Sequence, residues 1–118
     1  MRVELLFWDG DPHYMETRQR LVEVLTEDAF ETPIQMVAVS SGEDAELLRF
    51  PGSPTIRIDG TDIDPDGATA TPALVLRAYP GHPDRPSNVP TKEMIRRAVE
   101  RARGWGHGRR LDGRPDGR

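Results

Sequence analysis

A chain of 118 residues is the size of one domain, and folding at that length buries roughly 65 to 68% of the surface the unfolded chain exposes. Apolar residues make up 36% of it, Gly and Pro contribute 11 each, the formal charge is −4, and cysteine is absent. The missing thiols exclude disulfides, thiolate nucleophiles, zinc–thiolate sites and dithiol redox chemistry, and no apolar run nears the roughly 18 residues of a membrane span.

Val3 to Trp8 is a short apolar run closed by Asp9-Gly10, which predicts a buried strand. Asp11 and Pro12 then read as a cap and first helical residue, and Tyr14, Arg18, Leu21, Val22 and Leu25 recur at helical spacing to about Thr26. Pro33 precedes Ile34 to Val39, a near-continuous apolar strand of the kind covered on both faces in parallel sheets. Ser40 and Glu43 stand at capping-box spacing and open a short helix ending near Leu48. A third strand is expected at Thr55 to Ile58, closed by the Asp59-Gly60 turn signal, and a fourth at Ala73 to Tyr79. From Thr91 the stripe Met94, Ile95, Ala98, Val99 and Ala102 predicts an amphipathic helix with Arg96, Arg97, Glu100, Arg101 and Arg103 outward. The order is β-α-β-α-β-β-α, with no internal repeat. Residues 1–103 are read as the domain. Residues 104–118, with five Gly and one Pro, read as a flexible Gly/Arg-rich tail because they hold almost nothing to bury.

Charge is uneven along the chain. Residues 1–90 hold 7 basic and 16 acidic side chains (net −9), and residues 91–118 hold 9 and 4 (net +5). Arg96, Arg97, Arg101, Arg103, Arg109 and Arg110 with Trp105 invite a nucleic-acid reading. The acidic body and the sequence pI near 5.3 argue against it. Asp62, Asp64, Asp66 and Gly67 reproduce the first half of an EF-hand loop, but Ala73 stands where a bidentate Glu is required, so the bland reading is a solvated acidic loop. Asp9, Asp11 and His13 alternate across a strand-to-helix corner, which does not ensure convergence on one ion, and His82 and His107 have no zinc spacing. No metal or cofactor is expected.

The element order and the run Gly52-Ser53-Pro54-Thr55-Ile56-Arg57-Ile58-Asp59-Gly60 resemble the thioredoxin-like fold, in which an X-Pro-Thr at the start of the third strand holds a cis proline. The resemblance implies an α/β domain with a central four-stranded mixed sheet and helices on both faces. More narrowly, Val3 to Tyr14, the Gly-Ser-Pro-Thr-Ile-Arg run and Asn88-Val89-Pro90 are similar to the small thioredoxin-like proteins of the DF family of (seleno)proteins, over about residues 1–103. Relatives carry a cysteine or selenocysteine between the Gly and the Pro of the first motif, where this chain has Asp11. Many place a cysteine before the Arg-x-Tyr of the fourth strand, where this chain has Leu76. The fold carries over; the redox activity does not.

Asp11 sits where that fold does its chemistry, at a helix N-terminus that favours an anion. It reads first as a cap and otherwise as a ligand or catalytic group. His13 is a partly exposed polar residue or an acid/base, and Tyr14 is packing or an acid/base. Pro54 is architectural, or it turns the backbone of Ser53 toward Asp11 to pair with a ligand's main chain. Arg57 and Arg77 read as members of surface ion pairs. The leading expectation is a non-redox binding or accessory protein of the cytoplasm, without a signal peptide. It contacts a peptide or small molecule in a groove of Asp11, Pro12, His13, Ser53 and Pro54. The alternative is a small transferase or acid/base enzyme taking a thiol or other small substrate there, with His13 or Tyr14 as acid or base. A third idea is a homodimer through an edge strand or the Arg-rich helix.

Overall fold

A computed structural model describes residues 1–28, 32–81 and 87–104. The sheet is built from β1 (Val3–Phe7), β2 (Ile34–Ala38), β3 (Thr55–Ile58) and β4 (Thr61–Asp62) in the order β2-β1-β3-β4. β1 runs parallel to β2 with Leu5 opposite Met36, and antiparallel to β3 with Leu5 opposite Ile56. Three helices accompany it: α1 (Tyr14–Glu27), α2 (Gly42–Leu47) and α3 (Lys92–Ala102). The molecule is a mixed α/β domain with a four-stranded mixed sheet.

The period of two along β1 divides its side chains between two cores. Val3 and Leu5 join Ile56 and Ile58 against Leu21, Val24 and Leu25 of α1 and Ile95, Ala98 and Val99 of α3. Leu6 joins Val39, Phe50 and Ala45 of α2 in a smaller cluster on the other face. The buried stripe of α1 is Thr17, Leu21, Val24 and Leu25. It is rotated from the expected one, so that Val22 and Arg18 are only half-buried.

Several local expectations need correction. The cap of α2 is Ser41, whose Oγ accepts from the Asp44 N–H at 3.1 Å, one residue later than the Ser40–Glu43 reading. β2 is an edge strand whose Gln35, Met36 and Ala38 are exposed, because β1 uses its other side to pair with β3. The fourth strand is Thr61–Asp62. It follows directly from a two-residue turn in which Asp59 (φ 52°) and Gly60 (φ 83°) both take the left-handed conformation that a tight hairpin demands. Ala73 to Tyr79 is no strand of this sheet. It meets the chain through single bridges, Ser53 with Leu76 and Tyr79 with Ser87, since Arg77 and Tyr79 are drawn inward by polar partners. A short 3-10 turn, Pro65–Ala68, follows β4. Helix α3 begins where expected, its Thr91 Oγ1 accepting from the Met94 N–H at 3.1 Å.

Among the described residues no helix is long and apolar enough to cross a membrane. The expected tail, apart from Gly104, lies outside the described residues, as do Trp105, Arg109, Arg110, His82 and His107.

Candidate functional site

The loop from Trp8 to His13 joins β1 to α1 and is folded around one carboxylate. Asp11 is 1% exposed. Its Oδ2 accepts from the Ser53 hydroxyl at 2.7 Å and its Oδ1 from the His13 N–H at 2.8 Å. Ser53 Oγ in turn accepts from the Trp8 N–H at 3.0 Å, and the Asp11 N–H donates to the Trp8 carbonyl at 2.9 Å. The two bonds to the carboxylate are charge-assisted and worth about 1.5 to 3 kcal/mol each, the two neutral ones about 0.5 to 1.5 kcal/mol. They tie the entry of α1 to the loop before β3.

This geometry corrects the reading of Asp11 as the helix cap. The N-cap of α1 is His13, which makes no side-chain cap bond, and Pro12 stands outside the helix rather than at its first position. Asp11 instead spans Pro12 with a turn of the type Asp side chains make to a backbone N–H two residues on. The pull of Ser53 holds the carboxylate in the interior.

Of the other expected site residues, Pro12 is exposed, His13 half-exposed, and Ser53 and Pro54 buried. The Ser53–Pro54 peptide bond is cis. The main chain of Ser53 is already paired with the protein itself: its N–H donates to the Val75 carbonyl at 2.7 Å and its carbonyl accepts from the Arg77 N–H at 2.8 Å. The edge expected to receive a ligand's backbone is therefore filled by residues 75–77. The His13 imidazole is 43% exposed, with Nδ1 3.7 Å from Asp11 Oδ1 and without a hydrogen-bond partner. Tyr14 stacks on Phe7 with ring centroids 4.3 Å apart, the packing role. Asp11, His13, Ser53 and Pro54 do come together, but only Pro12 and His13 among the five reach solvent. The neighbouring Val75 and Leu76 are 47% and 43% exposed and flank Ser53.

A second polar centre lies beside this loop, and sequence reasoning missed it. Arg77, read as a surface residue, is 8% exposed. It grips Asp62 with both nitrogens (Nη1–Oδ2 2.8 Å, Nη2–Oδ1 3.0 Å), donates to Thr55 Oγ1 at 3.0 Å, and lies 4.6 Å over the Tyr79 ring. Burial alone lowers the Arg77 pKa, but the hydrogen bond to Asp62 and the electrostatic influence of Tyr79, Asp62 and Asp64 raise it above its usual value. Burial likewise pushes the Tyr79 phenol well above its usual value, and its hydroxyl donates to the Pro54 carbonyl. Asn88 Nδ2 closes the cluster on the Arg77 carbonyl at 2.8 Å. The signal in the sequence was the alternation of Arg77 and Tyr79 matched by the alternation of Asp62 and Asp64.

The acidic loop is only in part solvated: Asp66 is exposed, while Asp62 and Asp64 are turned to partners within the protein. Asp62 is committed to Arg77 and Asp64 Oδ1 accepts from the Asp66 N–H at 3.1 Å. No cluster of three or more His, Asp or Glu side chains able to hold a metal occurs among the described residues. The basic face of α3 is also engaged. Lys92 and Arg96 pair with Glu27 of α1 at 2.7 and 2.6 Å, and Arg97 with Glu93 at 3.0 Å. Hydrogen bonds from Lys92 and then Arg96 hold the Glu27 carboxyl below its usual range.

Two clefts are lined by residues other than His13. One of about 870 Å³ is lined by Leu47, Arg49, Arg57, Ala70 and Pro72, and another of about 520 Å³ by Ile63, Pro80, Thr91 and Met94. Comparison with protein-family models, with curated proteins and with solved structures finds no match.

Proposed function

We propose that the chain is a thioredoxin-like domain of the DF-family kind that has given up thiol chemistry and works as a binding or accessory protein in the cytoplasm. The adjacent, parallel β1 and β2 and the placement of Pro54 immediately before β3 support the fold reading. The observation that carries the functional reading is the commitment of Asp11. A carboxylate sealed from solvent and accepting from both Ser53 and His13 is held by the fold and is not offered to a ligand arriving from solution. Asp11, Ser53 and Pro54 are then the floor of the site, and a protein or peptide partner meets Pro12, His13, Val75 and Leu76 above it. Absence of cysteine is in keeping with a reducing compartment.

The test is capture from a lysate of the native source with wild type beside a His13→Ala, Leu76→Glu variant, both positions being solvent-accessible and outside the core. We expect a protein held by wild type and lost by the variant. Equal capture by both would place the binding surface elsewhere.

One observation favours the enzymatic alternative: His13 Nδ1 faces the Asp11 carboxylate at 3.7 Å with no other partner. A buried carboxylate beside a half-exposed imidazole is the arrangement that orients a general base. A small thiol or other small molecule that elutes with wild type only, and not with His13→Ala, would select this reading.

A further inference from the structure

The cleft of about 870 Å³ holds two arginines, Arg49 and Arg57, for which the fold supplies no counter-charge. Arg57 lies on β3, and the register sets Glu4 of β1 and Asp62 of β4 directly opposite it on either side, where cross-strand neighbours share a face of the sheet. Neither carboxylate is its partner. Glu4 pairs with Arg2 at 3.7 Å, and both oxygens of Asp62 are taken by Arg77. Arg57 is half-buried and donates instead from Nη2 to the Arg49 carbonyl at 2.9 Å. That bond fixes the guanidinium and leaves the other donors of its fork open.

Arg49 is placed by the end of α2. Its N–H donates to the Glu46 carbonyl at 3.2 Å and the Phe50 N–H to the Ala45 carbonyl at 2.8 Å, the pair of bonds that closes a helix on a left-handed residue, usually glycine. Arg49 takes that conformation at φ 52°. Glycine would do so without strain, so what arginine adds is an exposed guanidinium on the cleft wall. Among the described residues neither Arg49 nor Arg57 forms an ion pair. Four arginines (Arg2, Arg49, Arg57 and Arg77) thus meet three carboxylates (Glu4, Glu46 and Asp62) along this side of the sheet, a local positive excess in a body whose residues 1–90 carry net −9.

From this we propose that the cleft binds a small organic anion, a carboxylate or phosphate carried on an apolar body. The oxyanion meets Arg57 and Arg49, whose planar donor forks suit either group, and the body lies on Leu47, Leu48, Ala70 and Pro72. Leu47 is 82% exposed, an apolar side chain that the protein itself leaves almost bare. The volume is that of a ligand cleft, roughly 300 to 1,000 Å³. The chain beyond α3 is a poor occupant. Helix α3 packs on the opposite face, against Ile56 and Ile58, and residues 105–118 carry four Arg against two Asp, the sign of the cleft itself. The site is independent of the surface at His13, none of whose residues lines it.

Titration of the full chain with phenyl phosphate, benzoate, inorganic phosphate and benzylamine, followed by proton–nitrogen correlation spectra, tests this. We expect saturable shifts of the Arg57 Nε–H and of the Leu48, Arg49 and Thr61 amides with phenyl phosphate or benzoate, at a Kd on the order of 1 mM or lower. The tighter of the two identifies the head group. Inorganic phosphate should bind at least about threefold more weakly than phenyl phosphate, for want of an apolar body. Arg57→Gln and, separately, Arg49→Gln should each weaken binding about tenfold with unchanged circular dichroism, while Arg18→Gln on α1 should leave it as it is. Arg49 is exposed, so its variant decides the matter even if Arg57→Gln disturbs β3. No saturable shift with either organic anion up to about 10 mM, equal shifts with benzylamine, or binding that survives the loss of Arg49 and of Arg57 would overturn the proposal. Equal affinity for inorganic and phenyl phosphate would overturn the part given to the apolar wall.

Discussion

At the scale of single residues, two buried polar groups decide how this protein responds to its surroundings. Tyr79 is held neutral by burial, so its folded pKa lies above its unfolded value of 10.0. Its contribution to stability is complete below pH 10 and is lost as pH rises, because the unfolded chain releases the phenolic proton first. Unfolding free energy measured in urea should fall above that pH by up to about 1.4 kcal/mol per pH unit. Tyr79→Phe should show a shallower alkaline decline at a cost of about 1 kcal/mol near neutrality, from the lost bond to the Pro54 carbonyl. Identical alkaline slopes in the two proteins would contradict the burial argument. The Asp62–Arg77 pair is the second, and Gly67 leaves it room. A Cβ there would overlap Asp62 Oδ2 and crowd Arg77 Nη2. Gly67→Ala should therefore loosen the Asp62–Arg77 pair and destabilise by about 1 to 3 kcal/mol, a range set by overpacking, and an unchanged thermal midpoint would show that the loop yields at no cost.

At the scale of elements, β1, β3, α3 and the Asp59-Gly60 turn were legible because local chemistry specifies them: sharp apolar runs, a threonine cap, a turn dipeptide. What was illegible depends on partners distant in sequence. Ala73 to Tyr79 has the composition of a strand, yet Arg77 reaches back fifteen positions to Asp62 and Tyr79 to Pro54, and these bonds fix the segment against the loop before β3. The apolar run of β2 looked doubly covered, but coverage is a property of sheet order, which no local pattern records. Asp11 was read as a helix cap, since only the arrival of Ser53 from forty-two residues away makes it a buried link. A prediction follows for the misread segment. Arg77→Met leaves Asp62 buried without its partner and should cost about 3 to 5 kcal/mol by urea unfolding, whereas an arginine on a solvated strand would cost almost nothing.

For the whole molecule, the two helices on one face of the sheet are joined by charge as well as by apolar packing. Lys92 and Arg96 meet Glu27 across the α1–α3 contact. The folded pKa of Glu27 is lowered from 4.5, so its stabilising effect is present above that pH and fades as pH falls through the lowered value. Glu27→Gln should therefore lower the thermal midpoint slightly at neutral pH and low salt, with the difference closing in acid and in high salt. A difference that persists under both conditions would assign the effect to packing. The same pairing occupies much of the basic face of α3, whereas around His13, Val75 and Leu76 polar and apolar groups lie side by side at the surface.

That surface exists only if Asp11 is a link in the fold and not a group waiting for a ligand. A double-mutant cycle of Asp11→Ala and Ser53→Ala, read by urea unfolding, tests this most directly. We predict that each single change costs about 1.5 to 3 kcal/mol and that the pair is coupled by about 1 to 3 kcal/mol. Additive effects, with Asp11→Ala within about 0.5 kcal/mol of wild type, would mean that the carboxylate is not tied to Ser53, and Asp11 would then return as the residue that meets the ligand.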